Sequence, residues 1–157
     1  MAEPFPSRCA VRVQAEDFSP GAELDALLAR APGAGGVGSF IGVVRSDAAR
    51  PIAALTLEHY PAMTMPALER IVADADARFS ILGCTVIHRF GRLLPGDRIV
   101  FVAVAASHRR AALDATSFLI DWLKTKAPFW KQEELANGTA RWVDALIQDD
   151  LDASRWS

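Results

Sequence analysis

Cysteine is nearly missing from this 157-residue chain, which carries only Cys9 and Cys84. Both lie in apolar, strand-like runs, so neither a disulfide framework nor a thiolate cluster for zinc is available, and the usage fits a reducing cytoplasm. No apolar run approaches the roughly 18 residues of a membrane-spanning helix. Residues 1–8, with Glu3, Pro4 and Pro6, hold no apolar stretch of signal-peptide length. An excess of one charge is lacking too: 17 Lys and Arg against 19 Asp and Glu leave a net −2. That excludes a general nucleic-acid coat and a polybasic membrane binder, while leaving room for a local basic pocket. The chain has no G-x-G-x-x-G, no Walker sequence, no Ser-His-Asp motif and no paired catalytic carboxylates. No His/Cys/carboxylate spacing suggests a metal site. The expectation is a soluble cytoplasmic protein that binds neither nucleic acid nor membrane.

What the chain does have is the material for a core. Hydrophobic residues make up 51% and charged residues 23%, which excludes disorder. A chain of this length buries roughly 68–70% of its unfolded surface on folding, enough without a metal or disulfide staple. No linker, repeat or low-complexity tract interrupts it, so residues 1–157 read as one domain.

The hydrophobic period switches repeatedly between two and 3.6. Residues 9–15 alternate as a half-buried strand. Ser19-Pro20 then caps a helix whose stripe is Leu24, Leu27 and Leu28. Gly33-Ala34-Gly35-Gly36 serves as a turn and a close backbone approach before a strand over 37–45. The polar loop 46–51 leads to a strand over 52–60, and the pair is expected to form a long-looped hairpin. Thr64, with Pro66 in the first turn, is expected to cap a helix to about residue 79, burying Leu68, Ile71, Val72 and Ala75. Strands follow at 84–90 and 99–105, with Pro95-Gly96-Asp97 as a turn between them. Ser107 is expected to cap the longest helix, 108–126, which stops before Pro128. Asn137-Gly138 reads as a two-residue hairpin turn between 131–136 and 139–143. The tail, 144–156, has weak helical patterning. The order gives an α+β fold of antiparallel strand pairs with helices between them.

Two groups of residues invite chemistry. Lys124 and Lys131 flank Thr125-Lys126-Ala127-Pro128-Phe129-Trp130. Two lysines brought together beside aromatic rings lower each other's proton affinity and become suited to nucleophilic, acid–base or electrostatic work. The competing reading is a solvated helix end, where lysines meet the macrodipole favourably. His108-Arg109-Arg110 opens the same helix, where cations oppose the dipole, so an anion site at the free N–H groups is the alternative to an unfavourable placement. Arg45 ends an apolar strand and alone reads as a solvated strand end. His59 and His88 read as structural histidines on alternating strands. Residues 108 and 124 are sixteen apart, about 24 Å along one helix. A small phosphorylated substrate cannot bridge that span, so a site using both ends needs a second subunit.

Leu55-Thr-Leu-Glu-His-Tyr-Pro61, Val86-Ile-His-Arg89, Pro95-Gly-Asp97, Ser107-His-Arg109 and Leu123-Lys-Thr-Lys-Ala-Pro-Phe-Trp-Lys131 strongly resemble the large, catalytic subunit of molybdopterin synthase. The similarity runs in the family's order over residues 11–142, and the last segment is the most specific. The resemblance implies an α/β-hammerhead fold with a C-terminal hairpin. It implies a homodimer, with a small ubiquitin-like sulfur-carrier subunit at each outer end to make a heterotetramer. The family converts cyclic pyranopterin monophosphate to molybdopterin, taking two dithiolene sulfurs from the thiocarboxylated Gly-Gly terminus of the small subunit. No metal or redox cofactor is implied, because the sulfur arrives already activated.

Matched by motif, Lys124 and Lys131 correspond to the family's essential lysines. Arg45 corresponds to its pocket arginine, with Phe40, Val43 and Val44 on the same segment. His108 and Arg109 correspond to the phosphate-binding pair contributed across the dimer, and Gln132 and Glu133 to positions lining the substrate site. Val43 stands where some relatives have lysine, Ile120 where some have methionine, and the 46–51 loop is slightly short. Two other classes are open on the residues alone. One is a non-catalytic module gripping a ubiquitin-like tail, and the other a nucleotide- or coenzyme-binding enzyme using the His108-Arg109 end.

Overall fold

The computed structural model describes residues 8–143 and 147–156. Along the chain run β1 (Cys9–Gln14), α1 (Pro20–Arg30), β2 (Gly36–Val43), β3 (Ile52–His59), α2 (Pro61–Phe79) and β4 (Gly83–Arg89). There follow β5 (Gly91–Leu93), β6 (Arg98–Ala106), α3 (Arg109–Thr125), β7 (Phe129–Leu135), β8 (Ala140–Val143) and α4 (Ile147–Ser154). The strands form two four-stranded sheets, ordered β1-β4-β6-β2 and β5-β3-β7-β8.

The first sheet is the scaffold. Its central strands β4 and β6 are apolar almost without interruption because helices cover both faces. On one face Val86, Val102 and Val104 pack against Ile71, Val72 and Ala75 of α2 and Ala115, Phe118 and Leu119 of α3. On the other, Ile87, Phe101, Ala103 and Ala105 meet Leu27 and Ala31 at the α1 end, with Phe18. Odd and even positions of the two strands thus serve different layers, as strand alternation requires. The second sheet contributes to only a small apolar cluster, Val44, Leu57 and Leu93, and also buries the charged Glu133.

Glycine decides where α3 sits. A Cβ on Gly38 of β2 would lie 2.8 Å from the Ala112 carbonyl oxygen and 2.9 Å from Thr116 Oγ1, and one on Gly35 would lie 2.0 Å from the Ser107 carbonyl oxygen. Lacking side chains there, β2 lets α3 lie directly on its backbone. The expected close approach of the glycine-rich stretch is therefore present, and Gly33 supplies the turn with φ +88°.

Several details differ from the sequence reading. β2 and β3 are not a hairpin: β2 pairs with β6, and β3 pairs with β5 and β7 in the other sheet. A polar loop between two apolar strands suggests a hairpin, but here it carries the chain from one sheet to the next. β1 pairs with β4 in parallel, whereas every other pairing is antiparallel. Among the described residues the longest helix is α2, of 19 residues, not α3, of 17. It starts at Pro61 rather than after Thr64, whose buried hydroxyl instead donates to the Tyr60 carbonyl at 2.8 Å. The N-cap of α3 is His108, not Ser107, and makes no side-chain capping bond. β5, too short to show a period, was not anticipated. The Asn137-Gly138 hairpin is present, but Leu135 N–H donates to the Thr139 carbonyl, and Gly138 has φ +89°. The loop thus has three residues with glycine in the left-handed position, where Asn-Gly suggests two. Of the expected helical tail, 147–154 is helix and 144–146 lie outside the described residues.

Candidate active site

The most distinctive segment of the sequence is a helix-to-strand corner. α3 ends at Thr125, Lys126 and Ala127 N–H both return to the Trp122 carbonyl at 2.8 and 3.2 Å, and after Pro128 the chain starts β7. Proline forbids a further helical turn and sets the extended course. Lys124 on the last helical turn and Lys131 on the new strand thereby come to line one cavity of about 260 Å³. Strand alternation then sorts β7. Phe129, Lys131 and Glu133 line the cavity, while Trp130 points away, 48% exposed.

The other walls come from the end of β2 (Val43, Val44 and Arg45), the following loop and β3 (Arg50, Ile52 and Leu55), His88 of β4, and Ile99 of β6. Arg45 stands at the rim, its side chain 86% exposed and its Nε 3.8 Å from Asp47. Glu133 is buried between two guanidinium groups. Arg50 grips both its oxygens, Nη2 to Oε1 at 2.6 Å and Nε to Oε2 at 3.2 Å, and Arg141 reaches Oε2 at 3.1 Å. Such a fork-on-carboxylate arrangement fixes geometry as well as charge. Glu133 therefore serves as an anchor for arginines at the mouth rather than as a free base.

His88 is the one imidazole in the wall. Nδ1 lies 2.8 Å from the Arg89 carbonyl oxygen, which can only accept, so Nδ1 carries the proton and Nε2 a lone pair. The ring stacks on Phe129 with centroids 3.8 Å apart and planes 14° off parallel. Burial first of all, and then the positive charges of Lys131 and Lys124, push its pKa down to about 3, against the bond to the Arg89 carbonyl, which acts the other way. It is a neutral base in a cationic chamber. His59, outside the lining, packs on the other neighbours of this aromatic group, Phe90 at 4.7 Å and Phe129 at 5.7 Å. Its Nδ1 lies 2.9 Å from Thr64 Oγ1, and burial lowers its pKa.

Of the residues singled out in the sequence, the fold thus gathers Lys124, Lys131, Val43, Val44, Arg45 and Glu133 at one cavity. Phe40 lies further up β2, 38% exposed and outside the lining. Gln132 faces the other way on β7, opposite Trp142 of β8 and Thr56 of β3. His108 and Arg109 sit at the far end of α3, in a separate open recess with Gly35, Ser107 and Arg110. Their separation from Lys124 is that of the whole helix. Sequence reasoning missed Arg50 and the place of His88 in the wall. A loop arginine carries no periodic signal. His88 does share a strand face with Cys84 and Val86, but the apolar neighbours suggested core. Among the described residues no group of three or more His, Cys, Asp or Glu is placed to hold a metal ion.

Comparison with known proteins bears on this arrangement. The sequence model of the MoaE protein family matches residues 13–126. The chain is 49% identical over 148 residues to the molybdopterin synthase catalytic subunit of Pseudomonas aeruginosa, covering 94% of this chain and 98% of that one. It is 49% identical over 147 residues to the protein of that name from Ralstonia nicotianae, covering 93% and 83%. Among solved structures, the molybdopterin biosynthesis MoaE protein from Burkholderia ambifaria superposes with a TM-score of 0.80 at 47% identity, covering 94% of this chain and 97% of the other.

Proposed function

The chain belongs to the MoaE family of molybdopterin synthase catalytic subunits, and from that premise we propose how its cavity works. It is a sulfurtransferase of molybdenum cofactor biosynthesis. It converts cyclic pyranopterin monophosphate to molybdopterin, and the two dithiolene sulfurs come from the thiocarboxylated Gly-Gly terminus of a small ubiquitin-like subunit. The observation that carries this reading is the meeting of Lys124, Lys131 and Arg45 on one cavity at the family-specific corner. Substrate phosphate and donor thiocarboxylate are both anions, and fixed cations in a partly enclosed site stabilise negative charge that develops during sulfur attack and acyl release. Lys124 and Lys131 do that work at the centre. Arg45 receives an anion at the rim, and Val43, Val44 and Glu133 shape the wall. A glycine terminus has no side chain to obstruct a narrow entry, and its backbone is recognised in extended form.

The phosphate-binding end is supplied by a second copy. β2 is an edge strand whose residues Phe40, Ile41 and Val43 are exposed, an unprotected apolar edge that invites pairing. β2 and α3 run side by side, with Gly36 under Arg109 and the β2 end near Lys124. Eight strand residues span about 26 Å, close to the length of the helix. Antiparallel pairing of β2 with β2 of another copy therefore carries His108 and Arg109 of one chain to the Val43–Arg45 rim of the other. Phe40 would lie in that interface and Gln132 toward the small subunit's side. The assembly is a homodimer with a small subunit at each outer end, a heterotetramer, and residues 1–157 act as one domain. Buried, unbridged Cys9 and Cys84 suit a cytoplasmic location, and among the described residues no helix is long and apolar enough to cross a membrane.

Mixing the chain with thiocarboxylated small subunit and cyclic pterin phosphate tests the reading, and dithiolene product is expected. A chain that captures the tail without making product would be a binding module. Recovery of a nucleotide instead of a pterin would point to the His108–Arg109 end as a different enzyme's site.

A further inference from the structure

His88 occupies a position where an apolar residue would pack better. It follows Cys84 and Val86 on the α2–α3 face of β4, a strand whose residues 83–87 are all buried and uncharged. Burying an imidazole there without use for its second nitrogen costs stability. Its orientation is also fixed twice over, by the Nδ1 bond to the Arg89 carbonyl and by the close stack on Phe129. Phe129 and Lys131 are two apart on the same face of β7, so the stack that locks the ring also sets it beside Lys131.

Resting on the sulfur-transfer reading of this cavity, we propose that His88 is a positioning residue: its Nε2 lone pair accepts a hydrogen bond from the Lys131 ammonium and holds it toward the reacting anion. Among the described residues the titratable groups facing the ring are Lys131 from β7, Lys124 from α3 and His59 from β3, with the Arg89 carbonyl on its own strand. Burial above all, and then the two lysines, keep the ring neutral, so Nε2 stays an acceptor throughout the working pH range. A carboxylate in the same place would cancel the charge the reaction needs. A neutral acceptor orients the ammonium and leaves its charge intact. An ammonium on a flexible four-carbon stem gains most from such an anchor.

Two variants and one spectrum decide this. His88→Phe keeps an aromatic ring against Phe129 and removes the acceptor. His88→Gln loses the ring and keeps an acceptor oxygen. Positioning predicts that His88→Phe lowers kcat about tenfold or more with KM little changed, while His88→Gln keeps more activity despite a lower melting temperature. Packing alone predicts the reverse order, with His88→Phe near the wild-type rate, and that result would overturn the proposal. Independently of turnover, 15N NMR of histidine-labelled protein should show a protonated Nδ1 and a hydrogen-bonded Nε2. Lys131→Met should move the Nε2 resonance toward that of a free lone pair while Nδ1 stays in place. An Nε2 resonance indifferent to Lys131→Met would refute the contact even in a protein whose reaction proved to be another.

Discussion

The two ends of α3 present the same kind of side chain in opposite settings. At the C-terminal end Lys124 faces a partly enclosed chamber lined from six strands and a loop, with Lys131, His88 and Glu133 held by packing and bonds. At the N-terminal end His108 and Arg109 stand in an open recess with little more than the Gly35 turn and Ser107 beside them. The first has cations where the helix dipole favours them, and the second has them where it does not. A chamber with fixed walls suits bond making. An open cationic end suits an anion presented from outside, and under the proposed assembly the partner for each end is the other end of a second copy.

The comparison breaks most sharply at the lysines. Lys124→Ala and Lys131→Ala should each cut turnover by roughly 10²–10³-fold or more, the scale of removing one preorganised charge-stabilising group. The melting temperature should stay nearly unchanged, because removing a side chain at the cavity edge leaves the core of the first sheet intact. Single-turnover assay and thermal melting measure the two effects. Near-normal turnover in either variant would take that lysine out of the mechanism.

A second test removes what keeps the two ends in register. Gly38→Val forces a side chain into the Ala112 carbonyl and Thr116 hydroxyl, pushing α3 off β2. The expected cost is about 1–3 kcal/mol, typical of overpacking a close contact, read as a lower denaturant midpoint. Unchanged stability would mean that the helix is not held by that approach.

A third test is in pH. His88 has a folded-state pKa of about 3, below its ordinary value near 6.5. Below pH 6.5 the unfolded chain therefore binds a proton that the folded chain refuses. This group's contribution to stability is complete above about pH 6.5 and is lost progressively as pH falls toward 3. His88→Phe should flatten the stability profile across that window, as urea melts at a series of pH values would show. An unaltered slope would place the ring in contact with water.

How much of this was visible beforehand follows from what each signal encodes. Ser19, whose hydroxyl accepts from Ala22 N–H at 3.4 Å, and the Leu68–Ala75 stripe of α2 are local, and both are where the sequence put them. The Lys124–Lys131 corner was legible because proline ends a helix in a fixed way. Pairing was not legible. The same loop of 46–51 fits a hairpin and a sheet-to-sheet crossing equally well, and only the core decides which strand β2 joins. Parallel β1 was hidden for the same reason. Arg50 emerged only with its partner, since a guanidinium on a loop means little until Glu133, 83 residues on, is seen to be buried beneath it. The distance between residues 108 and 124, by contrast, was plain arithmetic, and the helix bears it out.

That distance makes the direct test of the shared site a mixed dimer. One chain would carry Lys124→Ala and the other Arg109→Ala, with different tags so that the heterodimer can be purified. If each site takes its lysines from one copy and its phosphate-binding end from the other, one site in the mixture combines both defects and the other is intact. Dithiolene formation should then recover to about half the wild-type rate per dimer, although each parent homodimer is nearly inactive. A heterodimer as inactive as its parents would contradict the account and place the whole site within one chain.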